Sequence, residues 1–264
     1  MTRMANMLAE NRGDDYAWSE QTTAGLVHWL RAGGQLGEWA DNTLADIQFA
    51  SQALQLTIDD TVLNLSCGWG RHAIALANHE LNVIGLDASA SLLELARETG
   101  EQMNVSVQWV HGDLDDLALA EQLNAVVQFR GNLLEWAESP ADALHMLDRV
   151  HAILRPGGRC LFGTPDWELA PPLHRQSRAE TAESTQIYHR YFDPDSRTVR
   201  SQTIVFGQDG SQREFWRHTW HPTLEQVASL LYQAGFHVEG QLNGFSFSPY
   251  DPNRPGLVWL VQRG

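Results

Sequence analysis

The sequence predicts an α/β fold in which helices cover a largely parallel sheet, and three observations carry that expectation. From Thr61 to Ser89 the chain reads strand, glycine loop, helix, second strand and acid. Further strand-like runs follow at Val105 to Val110, Ala125 to Phe129 and Arg159 to Phe162, with helical or turn sequence between them. At 264 residues the chain is long enough to bury the core of one such domain.

Residues 1–57 read as a helical N-terminal segment. Leu26, Trp29 and Leu30 share one helical face, Gly33-Gly34 breaks it, and a second helix is expected from about Leu44 to Leu56. Thr61 to Leu65 are apolar and strand-prone, Gly68 and Gly70 permit a tight turn, and His72 to Ala77 continue as helix. A second strand, Val83 to Leu86, then ends at Asp87. Strand ends in such a unit open onto one crevice. An acid there can accept from both hydroxyls of a ribose, while the glycines bring backbone N–H groups close to the rest of the ligand. The expected ligand is an adenosine derivative. Taken alone, Gly68-x-Gly70-x-x-Ala73 with Asp87 downstream also fits a dinucleotide fingerprint.

The later segments discriminate. The third strand runs into His111-Gly112-Asp113-Leu114, and a helix ends in Leu154-Arg155-Pro156-Gly157-Gly158 before the strand Arg159 to Phe162. With these segments in order, the chain from about Leu54 to Gly264 resembles the class I S-adenosylmethionine-dependent methyltransferases, small-molecule type. The resemblance implies a Rossmann-like, mixed seven-stranded sheet with helices on both faces and an antiparallel last strand. It implies S-adenosyl-L-methionine as cofactor and S-adenosylhomocysteine as product, with Asn64, Ser66, Gly68, Gly70, Asp87, Ala88, Asp113, Leu114 and Arg130 around the cofactor. Asp87 is expected on the ribose and Asp113 near the adenine. Two positions depart from the family pattern: Asn64 stands where the first strand usually ends in an acid, and Ser66 where the first loop glycine usually sits. A non-methylating reaction of the same cofactor, such as its intramolecular cyclisation, is the alternative reading, and a nicotinamide oxidoreductase the third.

Composition excludes other classes. The net charge is -15 and every basic residue is arginine, which removes a Walker-type lysine and Schiff-base catalysis. No basic stripe is present for a phosphate backbone, so nucleic acid is not expected as partner. The sequence shows no apolar run long enough for a membrane span and no hydrophobic signal region at Met1 to Asn11, which favours the cytoplasm. Cys67 and Cys160 read as small buried hydrophobes, and no metal-ligand spacing appears.

One domain is expected, divided into the N-terminal segment or lid (1–57), a cofactor-binding core (58–164), a substrate-cap insertion (165–222) and a closing helix with two strands (223–264). Within the insertion, Thr198 to Phe206 and Gln212 to Trp220 flank the turn signal Gln208-Asp209-Gly210 and predict a hairpin. Thr223 caps a helix through about Gln233, and Phe236 to Leu242 and Leu257 to Gln262 supply the last strands. Acceptor chemistry is assigned where segments converge on the crevice. Arg130 and Asn132 follow the fourth strand and suit a carboxylate or carbonyl, and Tyr188, His189 and Tyr191 offer phenol or imidazole groups from the insertion. Tyr16 and Trp18 are the lid candidates. Trp18, Trp69 and Trp136 suit the face of a cation, whereas Trp216 and Trp220, evenly spaced, read as one face of a strand. A small polar metabolite with an N or O acceptor is the expected substrate.

Overall fold

The computed structural model describes residues 27, 42–117, 119, 122–129, 133, 134, 136–164, 174–180, 184–252 and 256–264. Among the described residues, eleven strands form two sheets. The larger has seven strands in the order β10-β11-β5-β4-β1-β2-β3. Its members are β1 (Thr61–Leu65), β2 (Asn82–Asp87), β3 (Gln108–His111), β4 (Leu123–Gln128), β5 (Leu154–Thr164), β10 (Phe236–Asn243) and β11 (Leu257–Arg263). All adjacent pairs from β3 to β5 are parallel; β11 runs antiparallel to both β5 and β10. The mixed sheet and its antiparallel last strand are as the sequence leads one to expect.

Burial explains the strands. β1 is buried at four of its five positions and β4 at five of six, the near-continuous apolar reading of strands covered on both faces. One face of the sheet packs α1 (Thr43–Ala53) and α2 (Arg71–Ala77) through Ile47, Ala50, Ala73 and Leu76 against Val62 and Val127. The other packs α4 (Pro140–Ile153) and α5 (Leu224–Gln233) through Leu147, Val150 and Leu231 against Leu63 and Val126. A further helix, α3 (Ala90–Gln102), is capped by Ser89, whose side chain accepts from Leu92 N. Because the sheet turns outward from β1 to β2 on one side and to β4 on the other, the crevice lies at the C-terminal ends of β1 and β4.

α5 begins as the sequence indicates. Thr223 accepts from Gln226 N and the Gln226 side chain accepts from Thr223 N, closing a capping box. Thr223→Ala is expected to lower the unfolding free energy by about 1 kcal/mol in urea titration, with an unchanged m-value.

The insertion holds more sheet than the sequence indicates. The predicted hairpin is present as β8 (Thr198–Gly207) and β9 (Gln212–Trp220), turning on Asp209, whose carboxylate accepts from Ser211 N at 2.9 Å. Two further strands, β6 (His174–Glu180) and β7 (Ser184–Asp193), extend it to a four-stranded antiparallel sheet in the order β6-β7-β8-β9. The reading of Trp216 and Trp220 as one face holds along the strand but not in burial. Trp216 is exposed, while Trp220, at the strand end, sits in the main core and donates its backbone N–H to Ala137 O at 2.7 Å.

Candidate functional site

The glycine loop between β1 and α2 is held by the acid that ends β2. One oxygen of Asp87 accepts from Gly68 N at 2.7 Å and the other from Ser89 N at 2.9 Å. Charge-assisted bonds of this length fix the carboxylate at the mouth of the crevice and fold the loop back onto β2. Gly70 shows why the second glycine is required. It has φ +81° as the cap of α2, and a Cβ there would lie 2.5 Å from the Trp109 ring. Gly68 has φ +57° and faces open space, with nothing within 4 Å of where a Cβ would stand. The loop therefore approaches its own body at Gly70 and leaves room for a ligand at Gly68.

Two buried acceptors stand at the strand ends beside it. Asn64, in β1, donates its amide to Leu65 O and Val127 O, while its Oδ1 has no hydrogen-bond partner among the described residues. Gln128 ends β4, donates Nε2 to Ser66 Oγ at 3.3 Å, and its Oε1 is likewise unmatched among the described residues. An unmatched buried acceptor costs on the order of 1–3 kcal/mol, and a cationic ligand group between these strand ends would recover it. Ser66 occupies the left-handed region at φ +49°, so the departure from glycine is accommodated as backbone strain.

The far side of the crevice is the turn after β3. Asp113 Oδ1 accepts from Asp115 N at 2.8 Å and from Asp116 N at 3.3 Å, so this acid shapes its own turn. Leu114 O accepts from Arg149 of α4 at 2.9 Å, and Ala88 O from His111 Nε2 at 3.1 Å, which ties the ends of β2 and β3 together. The polar residues Asn64, Ser66, Asp87 and Asp113 thus stand along one edge of the sheet. Cys67 is buried in the same loop, and burial first, then the charge of Asp87, push its thiol well above the ordinary value. It stays protonated and unreactive. Cys160 is raised by burial in the same way.

On the acceptor side the structure separates residues that the sequence groups together. Tyr188 pairs with Ser177 and Thr203, whereas His189 and Tyr191 belong to the opposite face of β7. His189 and Tyr191 stack there with His174. Tyr188 hydrogen-bonds to Gln186, and burial raises its phenol above the usual value. Trp136, proposed from sequence as a cation face, already carries one: the Arg217 guanidinium lies 3.5 Å from its ring centroid. That contact identifies the face of the second sheet bearing Tyr188, Arg190 and Arg217 as the one turned toward the segment leaving β4. Arg130, Asn132, Tyr16 and Trp18 lie outside the described residues.

A buried polar cluster is absent from the sequence reading. Asp46 of α1 and His72 of α2, 7% and 5% exposed, meet at 2.9 Å, and the His72 ring stacks on Phe129 at 4.1 Å. Its sequence signal is an acid on the same helical face as Ile47, Phe49 and Ala50. Among the described residues no group of three or more His, Cys, Asp or Glu is arranged to hold a metal, and no helix is long and apolar enough to cross a membrane.

Comparison with known proteins agrees with this geometry. Residues 62–158 match the family described as a methyltransferase domain. Over 103 residues the chain is 30% identical to the ubiquinone biosynthesis O-methyltransferase of Coxiella burnetii, covering 39% of this chain and 42% of that protein. The chain thus spans less than half the length of that relative. It is 23% identical over 214 residues to the cypemycin N-terminal methyltransferase of a Streptomyces species, covering 77% of this chain and 83% of that one. A solved S-adenosylmethionine-dependent methyltransferase from Clostridium acetobutylicum superposes with a TM-score of 0.70 at 16% identity, covering 92% of this chain and 98% of the other, a likeness of fold. With the matched segment spanning β1 to the turn that opens β5, and Asp87 closing the glycine loop at the switch point, residues 62–158 form a methyltransferase domain, in a chain that shares the fold of a solved S-adenosylmethionine-dependent methyltransferase.

Proposed function

We propose that this chain transfers the methyl group of S-adenosylmethionine to an N or O atom of a small polar metabolite by in-line displacement. The observation that carries the reading is the Asp87 carboxylate held by Gly68 N and Ser89 N at the mouth of the crevice. The residues fit the cofactor in chemistry as well as position: a carboxylate for the ribose, open space at Gly68, and the unmatched Asn64 Oδ1 for the methionyl ammonium. S-adenosylmethionine supplies the electrophilic methyl group. The protein's task is to hold the nucleophile opposite the sulfur and exclude water. In this reading the second sheet, over the segment leaving β4, is the cap that does so. Tyr188, on the face of β7 that also carries Arg190, is proposed as the acceptor-side candidate; Arg130, Asn132, Tyr16 and Trp18 are proposed to complete the wall and lid, and Ala88 and Leu114 to border the adenosine.

The relatives' names support transfer to small or exposed groups. One is an O-methyltransferase of ubiquinone biosynthesis, another is a cypemycin N-terminal methyltransferase, and a fold neighbour from Streptoalloteichus is a sugar N-methyltransferase. Isothermal calorimetry is expected to give measurable affinity for S-adenosylhomocysteine and none for NAD. Affinity for NAD with none for either sulfur cofactor would overturn the reading. Mass detection of methylated products from a panel of small amines, phenols and carboxylates then finds the acceptor, and methylthioadenosine in place of S-adenosylhomocysteine would point to cyclisation.

A further inference from the structure

Ser66 holds a left-handed backbone at φ +49°, a conformation that glycine adopts freely and serine only under strain. What a serine has there and a glycine lacks is a hydroxyl, and the hydroxyl has a partner. Gln128 donates Nε2 to Ser66 Oγ at 3.3 Å. The two residues come from adjacent parallel strands. The register of Asn64 with Val127 sets Gln128 level with Leu65, the last residue of β1, and Ser66 opens the glycine loop. The bond therefore ties the start of the loop to the end of β4 across the switch point.

It also decides which end of the Gln128 amide is left over. A serine hydroxyl can accept or donate, whereas the two ends of an amide differ. With Nε2 committed to Ser66, the oxygen remains. Gln128 is 5% exposed, and its Oε1 has no hydrogen-bond partner among the described residues. Asn64, 2% exposed on the neighbouring strand, is in the same condition, with its nitrogen committed to Leu65 O and Val127 O and its Oδ1 unmatched. Alternation along the strands puts Asn64 on the side of Val62, toward α1 and α2, and Gln128 on the side of Val126, toward α4 and α5. Two bare oxygens thus reach the switch point from the two faces of the sheet. A ligand group with several N–H donors satisfies both. S-adenosylmethionine has two cationic centres, and of these the sulfonium has no N–H to give, while the α-ammonium has three donors.

We propose that Ser66 and Gln128 form a positioning pair for the amino-acid end of the cofactor. The Ser66 hydroxyl fixes the Gln128 amide so that Oε1 accepts from the α-ammonium, together with Asn64 Oδ1. This inference rests on the reading of S-adenosylmethionine as the cofactor. It gives the serine in a glycine position a role, and two neutral oxygens take the place of the acid that Asn64 replaces.

The test compares S-adenosylhomocysteine with its des-amino analogue, in which a methylene replaces the carbon bearing the ammonium and the adenosine, thioether and carboxylate are kept. Calorimetry on the full chain gives Kd for both ligands, and their ratio isolates the contacts to the ammonium. The wild-type chain is expected to prefer S-adenosylhomocysteine. Gln128→Met, similar in length and volume, is expected to lower that preference about tenfold, the effect of one hydrogen bond to a charged group. Ser66→Gly suits the left-handed backbone and removes only the hydroxyl, and is expected to lower the preference about threefold, because the Gln128 amide is then free to turn. A serine without this role would leave the ratio unchanged on becoming glycine. A wild-type ratio in either folded variant, equal weakening of both ligands by Gln128→Met, or a wild-type chain without preference would overturn the proposal and leave the cofactor site standing. A wild-type chain that binds neither ligand would instead remove the cofactor reading itself.

Discussion

Asp87→Ala is expected to weaken S-adenosylhomocysteine binding roughly 100-fold, about 2.7 kcal/mol. Two separate losses add to that figure. The ribose hydroxyls lose a charged acceptor, and hydrogen bonds to charged groups contribute about 1.5–3 kcal/mol. The loop also loses its anchor, because Gly68 N and Ser89 N no longer find the oxygens that hold them at 2.7 and 2.9 Å. Gly68 must then be ordered by the ligand itself, at a cost in chain entropy. Asp87→Asn separates the terms: it retains one acceptor oxygen but turns an NH2 group toward one of the backbone donors, and an intermediate affinity is expected. Calorimetry with S-adenosylhomocysteine on both folded variants measures this. Wild-type affinity in Asp87→Ala would show that the ribose lies elsewhere.

How far the site was legible in the sequence follows from what kind of signal each part leaves. Thr61–Leu65 and Asn82–Asp87 are strands buried on both faces, so their apolar runs are visible, and the glycines between them mark a tight turn in which Gly70 has no room for a side chain. The hairpin of β8 and β9 is equally visible in Gln208-Asp209-Gly210. β6, with the sequence HRQSRAE, has no alternation of apolar and polar residues, and pairing with β7 is what makes it a strand. Once β7 is known to be a strand, Tyr188 and Tyr191 must part, since three residues along a period of two reverse the face. The contacts of Arg217 with Trp136 and of Asp46 with His72 join residues from different elements, and no local pattern announces such pairs.

The second large effect is one of stability: Asp46→Ala is expected to cost about 3–5 kcal/mol, the usual result of removing one partner from a buried ion pair. Asp46 Oδ2 lies 2.9 Å from His72 Nε2 and 3.9 Å from Arg71 Nη2, and the Arg71 and Asp46 side chains are 10% and 11% exposed. Arg71 also donates to Thr43 Oγ1 at 2.6 Å, so the first turn of α1 and the first turn of α2 are joined through both residues. With the carboxylate gone, His72 cannot swing to water, because its ring is stacked on Phe129 with planes 9° apart. Replacing both members of the 2.9 Å pair, as in Asp46→Leu with His72→Phe, keeps the stack and removes the imidazole with its partner, while Arg71 retains its bond to Thr43, and is expected to cost less than Asp46→Ala alone. Urea unfolding at fixed pH reads both, with the m-value reporting whether the unfolding unit has changed. A loss below about 1 kcal/mol for Asp46→Ala would place this pair among weakly contributing surface contacts. Since α2 starts at Gly70 of the cofactor loop, a helix loosened from α1 should also bind S-adenosylhomocysteine more weakly, but by less than Asp87→Ala, whose carboxylate holds the loop itself.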